Sequence, residues 1–222
     1  MNMKIKSVIL ALCALTVATA TVFVTLAYLT DKETVVNTFT VGNVDITLQE
    51  TDVDGDGDQS GNSYHIVPGK TYKKDPTVTV NAGSEESYVR MILTIHNSSA
   101  VKAIIADRKN GLNAYTDLFG GWNGNAWMHY GSVDNAEDDT VSLEFRYFGT
   151  VDGFDEEGNE SDEMLPALFD TLIIPGTLNG GELESLYENG FKIVVHGHAI
   201  QSATFENDPD GAWAAFDAQI GQ

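Results

Sequence analysis

Tyr88-Val89-Arg90-Met91-Ile92-Leu93-Thr94-Ile95-His96 sets Val89, Met91, Leu93 and Ile95 on one wholly apolar face, with Tyr88, Arg90, Thr94 and His96 opposite. A period of two places successive side chains on opposite faces, so this is a half-buried β-strand resting one side on a core. Leu143, Phe145 and Tyr147 repeat the pattern against Glu144 and Arg146, and Ile193, Val195 and Ala199 continue it near the C-terminus. Shorter strands are expected around Thr77 to Val80 and Leu168 to Ile174, punctuated by Pro68-Gly69, Ala82-Gly83-Ser84 and Pro175-Gly176. Upstream, Phe39 and Val41 occupy odd positions while Val44, Ile46 and Leu48 occupy even ones. The Gly42-Asn43 step between them predicts a bulge that re-aims one continuous strand.

Helical signals are local. Ser99 to Leu118 reads as a helical insertion broken at Asn110-Gly111, and Gly181 to Tyr187 as a short amphipathic turn. Asp210 to Ala218, with Trp213 and Phe216 three apart, reads as a terminal helix docking its aromatic residues. Asp152 to Glu163 holds seven acidic residues in twelve positions and is expected to be a mobile, solvated loop. About eight short strands with few helices predict an all-β fold, a jelly-roll-like β-sandwich with short helical insertions.

The chain begins with a basic stretch, Lys4 and Lys6, followed by an apolar run from Val8 to Leu29. Small residues at Thr25 and Ala27 fit the −3 and −1 positions that signal peptidase reads, which predicts cleavage between Ala27 and Tyr28. A run of this length also suits a permanent membrane helix, but no basic stop-transfer flank follows it. Residues 1–27 are therefore assigned as a cleaved signal peptide with helical character, and residues 28–222 as one domain with no permanent membrane span. Leu12 before Cys13 is too bulky for a lipid-modification site. Without residues 1–27 the chain keeps 10 basic against 33 acidic residues, a formal charge of −23. Such a charge argues against nucleic acid and anionic membranes as partners and favours divalent cations or basic partners. Cys13 is the only cysteine, so the mature chain has neither a disulfide nor a thiolate nucleophile or ligand. With no Leu-Pro-x-Thr-Gly signal in the chain, covalent wall anchoring is not expected.

Taken together, Ala27-Tyr28-Leu29-Thr30-Asp31, Asn37-Thr38-Phe39-Thr40-Val41-Gly42-Asn43-Val44, Val67-Pro68-Gly69 and Lys74-Asp75-Pro76-Thr77-Val78-Thr79-Val80 resemble the TasA and camelysin family. These are exported proteins of Gram-positive bacteria processed by the dedicated signal peptidase SipW. Gly190-Phe191-Lys192-Ile193, Ala199-Ile200-Gln201 and Ala212-Trp213-Ala214-Ala215-Phe216 extend the resemblance towards the C-terminus. The resemblance implies a jelly-roll sandwich, secretion to the extracellular matrix or cell surface, and assembly into biofilm fibres, with or without an accessory matrix protein. In such fibres the N-terminal segment of one subunit completes a sheet of its neighbour. Residues 28–40 suit that role, because an extended Thr- and Val-rich strand can bond to an open sheet edge while Val35, Val36, Phe39 and the following Val41 fill pockets. The same segment also suits an edge strand within one molecule.

Asp52-Val53-Asp54-Gly55-Asp56-Gly57-Asp58-Gln59-Ser60 matches the first half of an EF-hand-type calcium loop. Asp52, Asp54 and Asp56 would offer side-chain oxygens, Asp58 its carbonyl and Ser60 the ninth position. The twelfth position is Ser63 where a bidentate glutamate belongs, so Glu50 or a carboxylate of the acidic loop would have to complete the shell. A solvated connector between strands is the competing account. His196 and His198, two apart on one strand, could face zinc together, although two exposed or hydrogen-bonded histidines explain the spacing as well.

Camelysins have been described as metallopeptidases. This chain, however, contains no His-Glu-x-x-His, no Gly-x-Ser-x-Gly, and no helix-spaced pair among His65, His96, His129, His196 and His198. Catalysis is not expected. Trp122, Trp127 and Tyr130, amid Asn and Gly, leave open a glycan-stacking surface and hence a monomeric, calcium-stabilised adhesion module. A packed hairpin accounts for the same residues.

Overall fold

The computed structural model describes residues 30–34, 37–39, 44–57, 59, 61–107, 111, 113–188, 190–205 and 207–220. The predicted cleavage site Ala27–Tyr28 and the signal segment lie outside the described residues, as do Val35, Val36, Val41, Asp58 and Ser60. Among the described residues no helix is long and apolar enough to cross a membrane.

The strands are β1 (Thr30–Thr34), β2 (Asn37–Phe39), β3 (Ile46–Gln49), β4 (Thr71–Lys73), β5 (Thr77–Val80), β6 (Ser87–His96), β7 (Phe119–Gly120), β8 (Trp127–Asn135), β9 (Thr140–Tyr147), β10 (Glu163–Met164), β11 (Thr171–Ile173) and β12 (Lys192–Gln201). Helices α1 (Ser98–Ala106), α2 (Gly180–Glu188) and α3 (Pro209–Ile220) are short, and Tyr115–Leu118 forms a 3-10 turn. The strands make three antiparallel sheets, ordered β2-β1-β12-β6-β9-β8, β10-β5-β3 and β4-β11-β7. The fold is mostly β, without a barrel, and has the layered character of an all-β sandwich.

Alternation in β6 does what its sequence dictates on the inner side. Val89, Met91, Leu93 and Ile95 are all buried, facing a core to which Val44 and, from the smaller sheets, Ile46, Leu48, Val78 and Val80 contribute. The opposite face departs from expectation, because it is not solvated. Helix α3 lies across it, and Tyr88, Ile200, Ala212, Trp213 and Phe216 form a second cluster there. Arg90 is 3% exposed in this layer. Its guanidinium lies 4.4 Å from the Trp213 ring centre and 5.2 Å from that of Phe216. It donates through Nε to Nδ1 of His198 at 3.1 Å and is bonded to Asp217. A buried cation is tolerable only when its donors are spent in this way.

One further expectation changes. Phe39 and Ile46 do not share a bulged strand: β2 pairs with β1 in the large sheet, whereas β3 pairs with β5 in another. The phase change marks a passage between layers. Asp152 to Glu163 is solvated as expected, and it is also hydrogen-bonded within itself, with a Phe154–Glu160 bridge, a turn in which Asp155 accepts from the N–H groups of Glu157 and Asn159, and Glu163 paired in β10. Its start is clamped where Gly153 meets the 81–84 turn. A Cβ there would lie 2.2 Å from the Asn81 carbonyl oxygen, so no other residue fits.

Truncating Phe216, which is fully buried, to alanine is expected to cost about 3–5 kcal/mol in urea unfolding, whereas Phe148→Ala at an exposed site changes stability by under about 0.5 kcal/mol.

Candidate functional site

The N-terminal segment meets the rest of the fold along β12. Thr30, Asp31, Lys32, Glu33 and Thr34 pair antiparallel with Ile200, Ala199, His198, Gly197 and His196. Strand β2 then folds back on β1, with Phe39 opposite Lys32. On its other side, all ten residues of β12 pair with β6. The edge beside β1 is only half covered, since among the described residues no strand pairs there with Lys192, Ile193, Val194 or Val195.

A cleft of about 420 Å³ opens beside this uncovered stretch. Phe191, Ile193, Val195, Ile66, Tyr64 and Leu172 supply its apolar walls, and Glu50, Asn62 and Lys74 its polar ones. Lys74 and Glu50 form a buried ion pair at 2.6 Å. Burial, with Glu50 and Asp75 adding negative charge nearby, pushes the Tyr64 phenol up, so it stays protonated and donates to the Lys73 carbonyl at 2.8 Å. Burial opposes ionisation of Asp75, but the Thr51 hydroxyl and N–H together with Lys73 hold its carboxyl below the usual range.

The aspartate loop borders the same cleft through Gly61, Asn62 and Ser63. Asp52, Asp54 and Asp56 each bring a carboxylate oxygen within 4.8 Å of the others, and among the described residues no other such group of three potential ligands converges. Asp52 accepts from the N–H groups of Gly55 and Gly57 at 2.7 and 3.0 Å. The Ser63 N–H donates to Asp54 at 2.7 Å and holds that carboxyl below the usual range. These bonds alone would shape the loop without an ion. Glu50 does not complete the shell, because its carboxylate is taken by Lys74 and approached by Asn62. The acidic loop is also excluded. It bonds to the 81–84 turn and to Val80, at the end of the β3–β5 ladder away from Gln49 and the aspartates.

The remaining candidates separate. His196 and His198 have their rings 6.5 Å apart and nearly parallel, but His198 is buried with Nδ1 engaged by Arg90. A joint zinc site does not follow. Trp122 and Trp127 line one cleft with His129 and Phe145, whereas Tyr130 lies apart from it. Trp127 is in the core and donates to the Pro166 carbonyl, Trp122 stacks on Phe145 and donates to the Thr116 carbonyl, and Tyr130 lies under Arg146 and bonds to Asp210 of α3.

No family model, curated protein or solved structure matches the chain. Sequence reasoning missed the open stretch of β12 and the Lys74–Glu50 pair. A lysine inside Tyr72-Lys73-Lys74-Asp75 carries no local sign of burial, and an uncovered edge is a property of pairing.

Lys74→Met is expected to lower stability by about 3–5 kcal/mol, because it leaves Glu50 buried without its cation, while Lys74→Met combined with Glu50→Leu recovers most of the loss in chemical denaturation.

Proposed function

We propose that the chain is an exported structural protein that assembles into extracellular fibres of the biofilm matrix or cell surface, by exchange of residues 28–40 between copies. The pairing of Thr30–Thr34 with His196–Ile200 carries this reading. That ladder is made by a terminal segment at a sheet edge through main-chain groups, so an identical strand from a neighbour makes the same bonds. Exchange of such an element is a low-cost route to assembly, and head-to-tail exchange extends into an open filament where its rotation does not close a ring.

The resemblance to TasA and camelysin proteins supports the same conclusion, and with it a jelly-roll arrangement of the sheets. On this reading signal peptidase cleaves between Ala27 and Tyr28, the partner is a second copy with or without an accessory matrix protein, and the protein is not an enzyme. Cleavage is the trigger, since the strand cannot reach a neighbour while it is joined to a membrane-held signal. Deleting residues 28–40 from the 28–222 chain is expected to leave a folded monomer that makes no filaments under negative stain. Filaments from the deleted protein would end the strand-exchange reading.

A second reading, a calcium-stabilised surface module, is favoured by the convergence of Asp52, Asp54 and Asp56. The site would be of the weak extracellular kind, and it would stiffen the wall of the cleft. Calcium at 100 times its Kd would raise stability by about 2.7 kcal/mol, seen as a chelator-reversible rise in melting temperature. An identical melt in chelator and in millimolar calcium removes this reading.

A further inference from the structure

The large sheet ends at β8, on the side away from the N-terminal strands, and there its inner face opens into a cleft of about 560 Å³. The wall is aromatic. Phe145 contacts Trp122, stacked on it with ring centres 4.9 Å apart, and His129, tilted against it at 5.0 Å. Opposition of His129 to Phe145 and of Trp127 to Tyr147 puts these side chains on one face of the sheet. A register shift between His129 and Gly131 leaves Tyr130 as the extra residue, on the other face beside Arg146. Both indole N–H groups of the cleft are spent inside the fold, Trp122 on the Thr116 carbonyl at 3.0 Å and Trp127 on the Pro166 carbonyl at 2.8 Å, which fixes the rings in place. The polar side comes from Asn123 and Asp117. The main chain of Asn123 is engaged, its N–H with Leu168 and its carbonyl with the N–H groups of Ala126 and Trp127, but among the described residues its side-chain amide has no hydrogen-bond partner. Asp117 accepts from the N–H groups of Asn113 and Ala114 through Oδ2, and its Oδ1 has no partner among the described residues. A second cleft of about 520 Å³ adjoins the first, sharing Trp122, Asn123 and Gly124 and adding Asn125 and Asp170.

We infer that these adjoining clefts bind a neutral oligosaccharide of gluco-configured pyranoses, one ring against the aromatic wall with its hydroxyls on Asn123 and Asp117, and the next towards Asn125 and Asp170. A pyranose whose substituents are all equatorial carries C–H groups on its flat faces and hydroxyls around its rim. It therefore needs an aromatic wall with a few polar groups at the margin, which is what the two clefts supply. A wholly apolar ligand would strip water from the Asn123 amide and the Asp117 carboxylate without replacing its hydrogen bonds. An anionic saccharide is excluded by charge. Among the described residues no Lys or Arg lines either cleft, two carboxylates do, and the chain is strongly acidic. Because the indoles are already fixed, little side-chain freedom is lost on binding. The site does not depend on strand exchange, since β8 and the N-terminal strands lie at opposite ends of the sheet. If copies do polymerise, the site recurs on every subunit and holds a polysaccharide at many points at once.

Two of the three tryptophans line the clefts, so the intrinsic fluorescence of residues 28–222 reads their occupancy in dispersed and assembled protein alike. The chain is titrated with cellohexaose, with chitohexaose, with hexagalacturonate as the anionic counterpart, and with a capped Gly-Phe-Gly peptide. The expected result is a saturable change with at least one of the two neutral hexasaccharides at or below about 1 mM, and none with hexagalacturonate or the peptide. Two substitutions place the binding. A Cβ on Gly124 meets nothing within 4 Å and its φ is not left-handed, so Gly124→Leu adds bulk to both clefts without straining the fold. Asn123→Ala removes an amide that holds nothing else in the described chain. Each is expected to weaken binding about tenfold with an unchanged unfolding midpoint, while Tyr130→Phe on the other face binds like the original. No saturable change with either neutral hexasaccharide overturns the inference, and so does binding that survives both Gly124→Leu and Asn123→Ala. Preference for hexagalacturonate also overturns it. A response to the capped peptide alone overturns it as well, by showing that the clefts take an aromatic side chain of a protein partner.

Discussion

The ladder between β6 and β12 is the constraint on which the rest depends. Ten consecutive residues of each strand pair, from Ser87 opposite Gln201 to His96 opposite Lys192. The two strands lie at the centre of the largest sheet, with the smaller sheets packed on one face and α3 on the other. Backbone groups in such a position must be bonded on both edges. For β6 the second edge is met by β9, and for β12 it is met over five residues by the N-terminal segment. A central strand that relies on the 30–34 segment for half of one edge is bared there whenever that segment leaves. Under the proposed strand exchange, that edge is where copies associate.

The outer layer shows how a highly acidic chain spends its few cations. Arg90 is held between Trp213 and Phe216 and bonded to His198 and Asp217, while Arg146 lies over Tyr130 and bonds to Glu144 and Asp210. Asp210 and Asp217 belong to α3, so the two arginines of the sheet fix that helix at both ends of its aromatic pair. Tyr130 and Arg146 hold the Asp210 carboxyl below the usual range. A depressed carboxyl contributes stability above its unfolded value and loses it as pH falls through the folded value, which puts weakening of this contact below about pH 4. At neutral pH the clamp is intact. The cleft beside β12 is one place where apolar surface and open backbone coincide, and the outer edge of β8 is another.

Much of the fold was legible because the decisive strands alternate cleanly. Val89 to Ile95, Leu143 to Tyr147 and Thr77 to Val80 became strands where expected, and Trp213 and Phe216 docked as their spacing implied. Strand β8 was missed because an edge strand with exposed Met128, Tyr130 and Val133 has no buried face to impose a pattern. The polar face of β6 was misjudged for a related reason: Arg90 reads as solvent-facing until a distant helix is known to cover it. At the candidate site, the three aspartates were visible as a motif. The commitment of Glu50 to Lys74, 24 residues away, was not. Neither was the end of the β1–β12 ladder at His196, which depends on where the chain folds back into β2.

The proposed strand exchange, the edge of β12 that stays half covered among the described residues and the acidic composition of residues 28–222 all fit the proposal of a protein that polymerises outside the cell. The most direct test is electron microscopy with sedimentation analysis of purified residues 28–222, at a concentration where a monomer stays dispersed. The account predicts regular unbranched filaments that sediment with most of the protein. A single dispersed species of monomer mass, unchanged as concentration and ionic strength rise, would contradict it.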